Sequence, residues 1–200
     1  MIKNKLFLVV FLALLCSCQN SFETVEEMTA YLEEEDNGYR YSKMVNGVDY
    51  VLQYKPTDLM VLQEVGDTLA EDKIEKLRQK YGRYLYFTLS MSKNNKELLS
   101  GVVHDKQRFG SMVQDLAFEM DQKIHLVSSQ KDTLSMVDFV YPRMYGMTNS
   151  TTIMVVYPRD EKHLGEQYLN FSIQDLGLNT GEVKFKVATQ SLRNQPTLRF

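Results

Sequence analysis

The chain has 200 residues, 44% of them hydrophobic, which is enough for a single core of ordinary size. Its 23 basic and 26 acidic residues give a net charge of −3, with no basic run, and that composition argues against nucleic acid as a partner. The two cysteines, Cys16 and Cys18, both lie near the start, so the rest of the chain has no thiol for a disulfide framework or a Cys-type metal site.

The first residues read as a signal segment. Lys3 and Lys5 make a positive start, and residues 6–15 are an unbroken apolar run of ten. That run is about half of what spans a bilayer. Leu15 stands three residues before Cys18, and the small Ser17 stands just before it. The stretch Leu15-Cys16-Ser17-Cys18 resembles the lipobox of bacterial lipoproteins and is most similar to the Bacteroidota type, with Cys16 where a small residue is usual. The resemblance implies cleavage before Cys18, acylation of Cys18 and a lipid anchor in the cell envelope. Gln19 rather than Asp comes next, which points to the outer membrane; which of its faces carries the domain stays open. Residues 1–17 are then the signal peptide, 18–23 a short tether, and 24–200 a single domain, with lobes 24–92 and 96–200 as the alternative division. The processed chain has 183 residues, 21 basic and 26 acidic, for a net charge of −5. More than one acyl chain, at ~0.8 kcal/mol per buried methylene, holds such a protein on a membrane stably.

The first helix starts at Thr24, with Glu27 completing a capping box and Val25, Met28, Tyr31 and Leu32 as its apolar stripe. Its other face is acidic, and Gly38 ends it. Asn46-Gly47 then predicts a type I′ hairpin. In that register Val45 faces Val48, Lys43 faces Tyr50, Tyr41 faces Leu52 and Tyr39 faces Tyr54. The face with Tyr39, Tyr41, Tyr50 and Tyr54 is either core or a ligand-binding platform. Pro56 stops the strand. Thr57 is read as the cap of a short helix ended by Gly66, and Thr68 with Glu71 as the capping box of the next, which carries Ala70, Ile74, Leu77 and Tyr81.

Residues 83–92 alternate as a strand with Leu85, Phe87, Leu89 and Met91 inward, and 93–96 is a turn. Asp105 is placed to cap a helix marked by Phe109, Met112, Val113, Leu116 and Met120. Strands are predicted over 124–128, 134–141, 151–157, 168–174 and 182–189, with a short helix over 160–166. Leu169, Phe171 and Ile173 are expected to share a core with Val183, Phe185 and Val187. The tail from Arg193 is expected to be loose as far as Leu198. The fold class is therefore α+β: a mostly antiparallel sheet with an N-terminal helix, a Tyr-rich hairpin and one or two packed helices.

No nucleophile elbow, phosphate-binding loop or dinucleotide glycine pattern occurs in the sequence. Asp160, His163 and Glu166 would lie near one another on a helix, but the spacing is common and lacks the nitrogen and sulfur ligands of zinc sites. Met136, Met144, Met147 and Met154 read as core filling rather than a thioether metal site. Val140-Tyr141-Pro142-Arg143 recurs as Val156-Tyr157-Pro158-Arg159, which would allow a rim shared by Arg143 and Arg159. Asp67-Thr68-Leu69 and Asp132-Thr133-Leu134 match the short pattern that Bacteroidota use for O-glycosylation, making Thr68 and Thr133 candidate sites. No metal or cofactor is assigned. The leading expectation is a non-catalytic accessory or binding component of a cell-envelope complex, with the membrane and an envelope protein as partners. The alternatives are an envelope hydrolase built on His104, His125, His163 and nearby carboxylates, or a small-ligand carrier using the tyrosine face.

Overall fold

The computed structural model describes residues 20–66, 70–144 and 146–200. The architecture is α+β and mostly antiparallel, with two antiparallel sheets and a two-stranded parallel pair where one sheet was expected. The larger sheet contains β2 (Arg40–Val45), β3 (Val48–Lys55), β4 (Tyr84–Lys93), β7 (Asp138–Val140) and β8 (Thr151–Pro158), in the order β2-β3-β4-β8-β7. The smaller contains β5 (Ile124–Ser128), β6 (Thr133–Leu134), β9 (Tyr168–Ile173) and β10 (Val183–Ala188), in the order β10-β9-β5-β6. Because β4 pairs with β8, the stretches 24–92 and 96–200 share one sheet.

The hairpin forms in the predicted register, from Val45 opposite Val48 to Tyr41 opposite Leu52. Asn46 and Gly47 both have positive φ, as the turn requires. One face of the large sheet, with Leu52, Leu85, Phe87, Leu89, Ile153 and Val155, packs into a single core with Leu126, Leu169, Phe171, Phe185 and Val187 of the small sheet. The strict alternation of β10, with Val183, Phe185 and Val187 buried and the residues between them exposed, is what one covered sheet face demands. Aromatic rings run through this core. Tyr39 meets Tyr54 at 6.3 Å, Tyr54 meets Phe87 at 5.5 Å, and Phe87 crosses between the sheets to Phe171 at 5.9 Å. Such pairs contribute about 0.5–1.5 kcal/mol each beyond their burial.

Helices close the ends and part of the outer face. Thr24 caps α1 (Val25–Glu33), its side chain accepting from Glu27 N, and Met28 and Leu32 are buried. The helices α2 (Thr57–Val65) and α3 (Glu71–Tyr81) pair with each other and place Met60 over Tyr86 and Val156 on the outer face of the large sheet. Two expected caps differ. Pro56, not Thr57, holds the N-cap of α2, because the Thr57 hydroxyl and amide both engage Gln195. Ala70 holds the N-cap of α3, and Thr68 lies outside the described residues. Asp105 caps α4 (Lys106–Phe118) by accepting from Gln107 N and Arg108 N, and α5 (Met120–Lys123) comes directly after it. Met112, Leu116 and Met120 are buried, whereas Phe109 is 37% exposed.

Two further expectations are corrected. The run 134–141 does not make one strand. It divides into β6 and β7, which lie at edges of different sheets, so the chain crosses from one layer to the other between them. The C-terminal tail is held rather than loose. After α6 (Glu161–Leu164) and α7 (Thr189–Arg193), β11 (Thr197–Leu198) pairs in parallel with β1 (Ser21–Phe22). Gln195 Oε1 accepts from the Tyr54 hydroxyl at 2.8 Å and from Thr57 N at 3.0 Å. Asp58 accepts two hydrogen bonds from Arg78, at 2.8 and 2.7 Å, and a third from Leu198 N at 2.7 Å.

Candidate functional site

Cys18 lies outside the described residues, and the first residue with a defined place is Asn20. Asn20 O accepts from Thr197 N at 2.9 Å, and Asn20 Nδ2 donates to the Tyr31 hydroxyl at 2.8 Å. Residues 20–22 of the expected 18–23 tether are thus part of the domain, through Asn20 and the β1–β11 pair, and residues 18 and 19 lie outside the described residues. Among the described residues no helix is long and apolar enough to cross a membrane.

The tyrosine face is core. Tyr39, Tyr50 and Tyr54 are at most 2% exposed, and Tyr41 is half-buried. The rings of Tyr39 and Tyr54 join the aromatic stack, Tyr50 is buried in the same core, and Tyr41 packs against it. Each hydroxyl has a partner: Asn194 O for Tyr39, Gly38 O for Tyr41, Thr180 for Tyr50 and Gln195 for Tyr54. Burial raises all four, pushing Tyr39 up to about 12.

The histidines stand apart. His104 is exposed in the turn before α4, and His125 is half-buried on β5 with Gln174 Nε2 at 3.3 Å. His163, on α6, is 13% exposed, with Asp160 Oδ2 at 3.0 Å from Nδ1 and Asp132 Oδ2 at 3.8 Å from Nε2. The Asp160 contact is off the hydrogen-bond direction, so Nδ1 is buried without a hydrogen bond. Asp160 also caps α6, and the Lys162 ammonium, 2.6 Å from Asp132, holds that carboxyl below the usual range. Glu166 turns instead to Ser129 Oγ at 2.6 Å, which lowers its carboxyl, and to Gln130 N. Asp160, His163 and Glu166 therefore do not converge, and among the described residues no group of three or more such side chains is placed to hold a metal.

Arg143 and Arg159 form no shared rim. Their strands β7 and β8 are antiparallel neighbours, so the two Pro-Arg ends point to opposite ends of the sheet. Arg159 donates to Leu192 O and the Tyr54 hydroxyl. The four methionines are scattered: Met136 packs on the main core, Met154 on the outer sheet face, and Met144 and Met147 are exposed. Thr133 is exposed on β6, at the edge of the small sheet.

Two surfaces remain that could bind something. The first is the edge at β7. This strand pairs only with β8 among the described residues, so its other side is an unpaired sheet edge. Along the same stretch Val137 is 53% exposed, Val140 45%, Met144 37% and Met147 76%. Val140 shares the outer face with its partner Met154. Exposed apolar side chains beside an open strand edge are an arrangement that invites another strand.

The second is a cleft of about 390 Å³ where the β4 turn meets α4. It is lined by Lys93, Lys96 and Arg108, with Leu98, Val102 and Leu178 as its apolar part. None of these residues was singled out as a site from the sequence, although two lysines flanking a two-residue turn are a readable sign of adjacent charges. No family model, curated protein or solved structure matches this chain.

Proposed function

We propose that the protein is a membrane-anchored lipoprotein of the cell envelope, seated in the outer membrane and acting as a non-catalytic binding component of an envelope complex. The lipobox-like stretch before Cys18 supports the anchor. The exposed apolar residues at the free edge of β7 support the binding role. The partner it fits is an envelope protein that offers an extended segment, with main-chain hydrogen bonds to the edge and apolar side chains against Val137 and Val140. The two alternatives have less to stand on. The carrier reading relied on tyrosines that fill the core, and the hydrolase reading relied on three histidines that stand on separate elements.

A photo-crosslinking residue placed at Val140 in the native chain, in its own cells, tests the reading. The expected result is a crosslink to one envelope protein, lost in the Cys18→Ala chain and absent when the probe sits at Lys76 on α3. No crosslink from membrane-attached protein would overturn it. Crosslinks joining only two copies of the chain would replace the partner with self-association.

A further inference from the structure

The cleft between the β4 turn and α4 carries concentrated positive charge on an acidic protein. Lys93 and Lys96 bracket a tight turn in which Asn94 and Asn95 have φ of 54° and 55°, and each lysine backbone hydrogen-bonds the other. The turn therefore brings both ammonium groups to one lip. Arg108 comes from the first turns of α4, and its Nη2 donates to Gly177 O at 2.8 Å, which fixes the guanidinium. None of the three cations makes an ion pair among the described residues. Glu97 is the one carboxylate in the lining, and it is 6% exposed. Its Oε2 accepts from Gly146 N at 2.7 Å and its Oε1 from Thr148 Oγ1 at 2.6 Å, so both oxygens are already satisfied by the neighbouring loop. Uncompensated cations around a recess that also offers Leu98, Val102 and Leu178 fit an anion joined to an apolar body.

We propose that this cleft binds a small organic phosphate monoester. The phosphate sits among Lys93, Lys96 and Arg108, and the carbon body lies on Leu98, Val102 and Leu178. A monoester carries close to two negative charges at neutral pH and presents three oxygens, which suits one guanidinium fork and two mobile ammonium groups. A carboxylate would need only one of them. A volume of about 390 Å³ accommodates such a molecule.

A phosphate could also come from a lipid headgroup, and the position of the cleft favours the soluble source. The N-terminal residues Ser21 and Phe22 lie at the Tyr54 end of β3, through β11 and Gln195. The cleft lies at the other end, where Val48 pairs with Lys93. The eight residues of β3, at ~3.3 Å per residue, put about 23 Å between the two ends. Binding in the cleft does not require the envelope complex.

The test is calorimetric titration of the full chain, purified in mild detergent, with phenyl phosphate and separately with inorganic phosphate. The expected result is saturable binding of phenyl phosphate, tighter than inorganic phosphate. It should weaken at least tenfold in Lys96→Gln and in Arg108→Gln and stay unchanged in Lys76→Gln. All three side chains are exposed, so circular dichroism should show the same fold throughout. No saturable binding at millimolar phenyl phosphate, or equal affinity in the cleft variants, would overturn the site. Equal affinity for inorganic phosphate would remove the apolar half of the proposal. Displacement of phenyl phosphate by phosphatidylglycerol in mixed micelles, but not by phosphatidylcholine, would assign the site to a lipid headgroup instead.

Discussion

Replacing Asp58 with alanine should loosen both ends of the chain at once. Asp58 is 2% exposed and holds three hydrogen bonds, two from Arg78 and one from Leu198 N. Removing the carboxylate leaves the Leu198 amide buried without an acceptor, at a cost of about 1–3 kcal/mol. The two charge-assisted bonds from Arg78 are worth about 1.5–3 kcal/mol each where water is excluded. The Arg78 side chain is 36% exposed and keeps its bond to Leu198 O, so it recovers much of that loss by hydration. The sum comes to about 3–5 kcal/mol, a large part of the 5–15 kcal/mol by which domains are usually stable. Urea unfolding monitored by circular dichroism measures it, and a double-mutant cycle with Arg78→Ala isolates the pair. Hydrogen exchange should show Thr197 and Leu198 losing protection first, with Ser21 and Phe22 next, because β11 is the only partner of β1 among the described residues. A loss below about 1 kcal/mol, or a cycle additive within about 0.5 kcal/mol, would refute this account of the clamp.

The buried tyrosines set an alkaline limit. Burial raises Tyr39 to about 12 and also raises Tyr54, Tyr86 and Tyr157. Their folded values lie above the unfolded value of about 10, so the folded state holds its protons longer. The stability from these groups is fully present below about pH 10 and is lost as pH rises through the folded values. Tyrosinate absorbance of the folded protein should therefore lag behind that of the urea-unfolded chain, and coincident curves would contradict the burial. Gly38 has φ +75°, and a Cβ there would sit 2.8 Å from Ser191 Oγ. Gly38→Ala should cost about 1–2 kcal/mol, seen as a lowered Tm, and less in a Ser191→Ala background.

What the sequence disclosed was local. Asn46-Gly47 demands one turn type, that turn sets the register, and period-two alternation then decides which residues face inward. None of these steps needs a distant partner. Three of the misread elements involve one. Thr57 has the chemistry of a helix cap, yet its hydroxyl is engaged by Gln195, 138 residues away. The run 134–141 has strand character throughout, but alternation cannot say that its two halves belong to different sheets. The pair of β1 with β11 joins two-residue strands too short to carry any pattern. The binding surfaces were hidden for the same reason. Lys93 and Lys96 are visible together, but Arg108 and Leu178 reach them only through folding.

The arrangement of these surfaces constrains how an anchored domain could work. With Asn20 tied to Thr197 and Tyr31, a lipid on Cys18 would sit two residues, at most about 7 Å of extended chain, from the fold. A domain held so closely cannot search for partners by swinging on a linker. Its contacts must lie where the fold already presents them. The β1–β11 pair occupies one end of the large sheet, the basic cleft occupies the other, and the free β7 edge runs along the side. The fold thus separates the end that an anchor would hold at the membrane from the end that offers a soluble anion its cations. A strand docked on β7 would lie away from the β1–β11 pair, but the loop after β7 reaches the cleft through Gly146 and Thr148, which hydrogen-bond Glu97, so occupancy of the edge and of the cleft would be coupled through that loop.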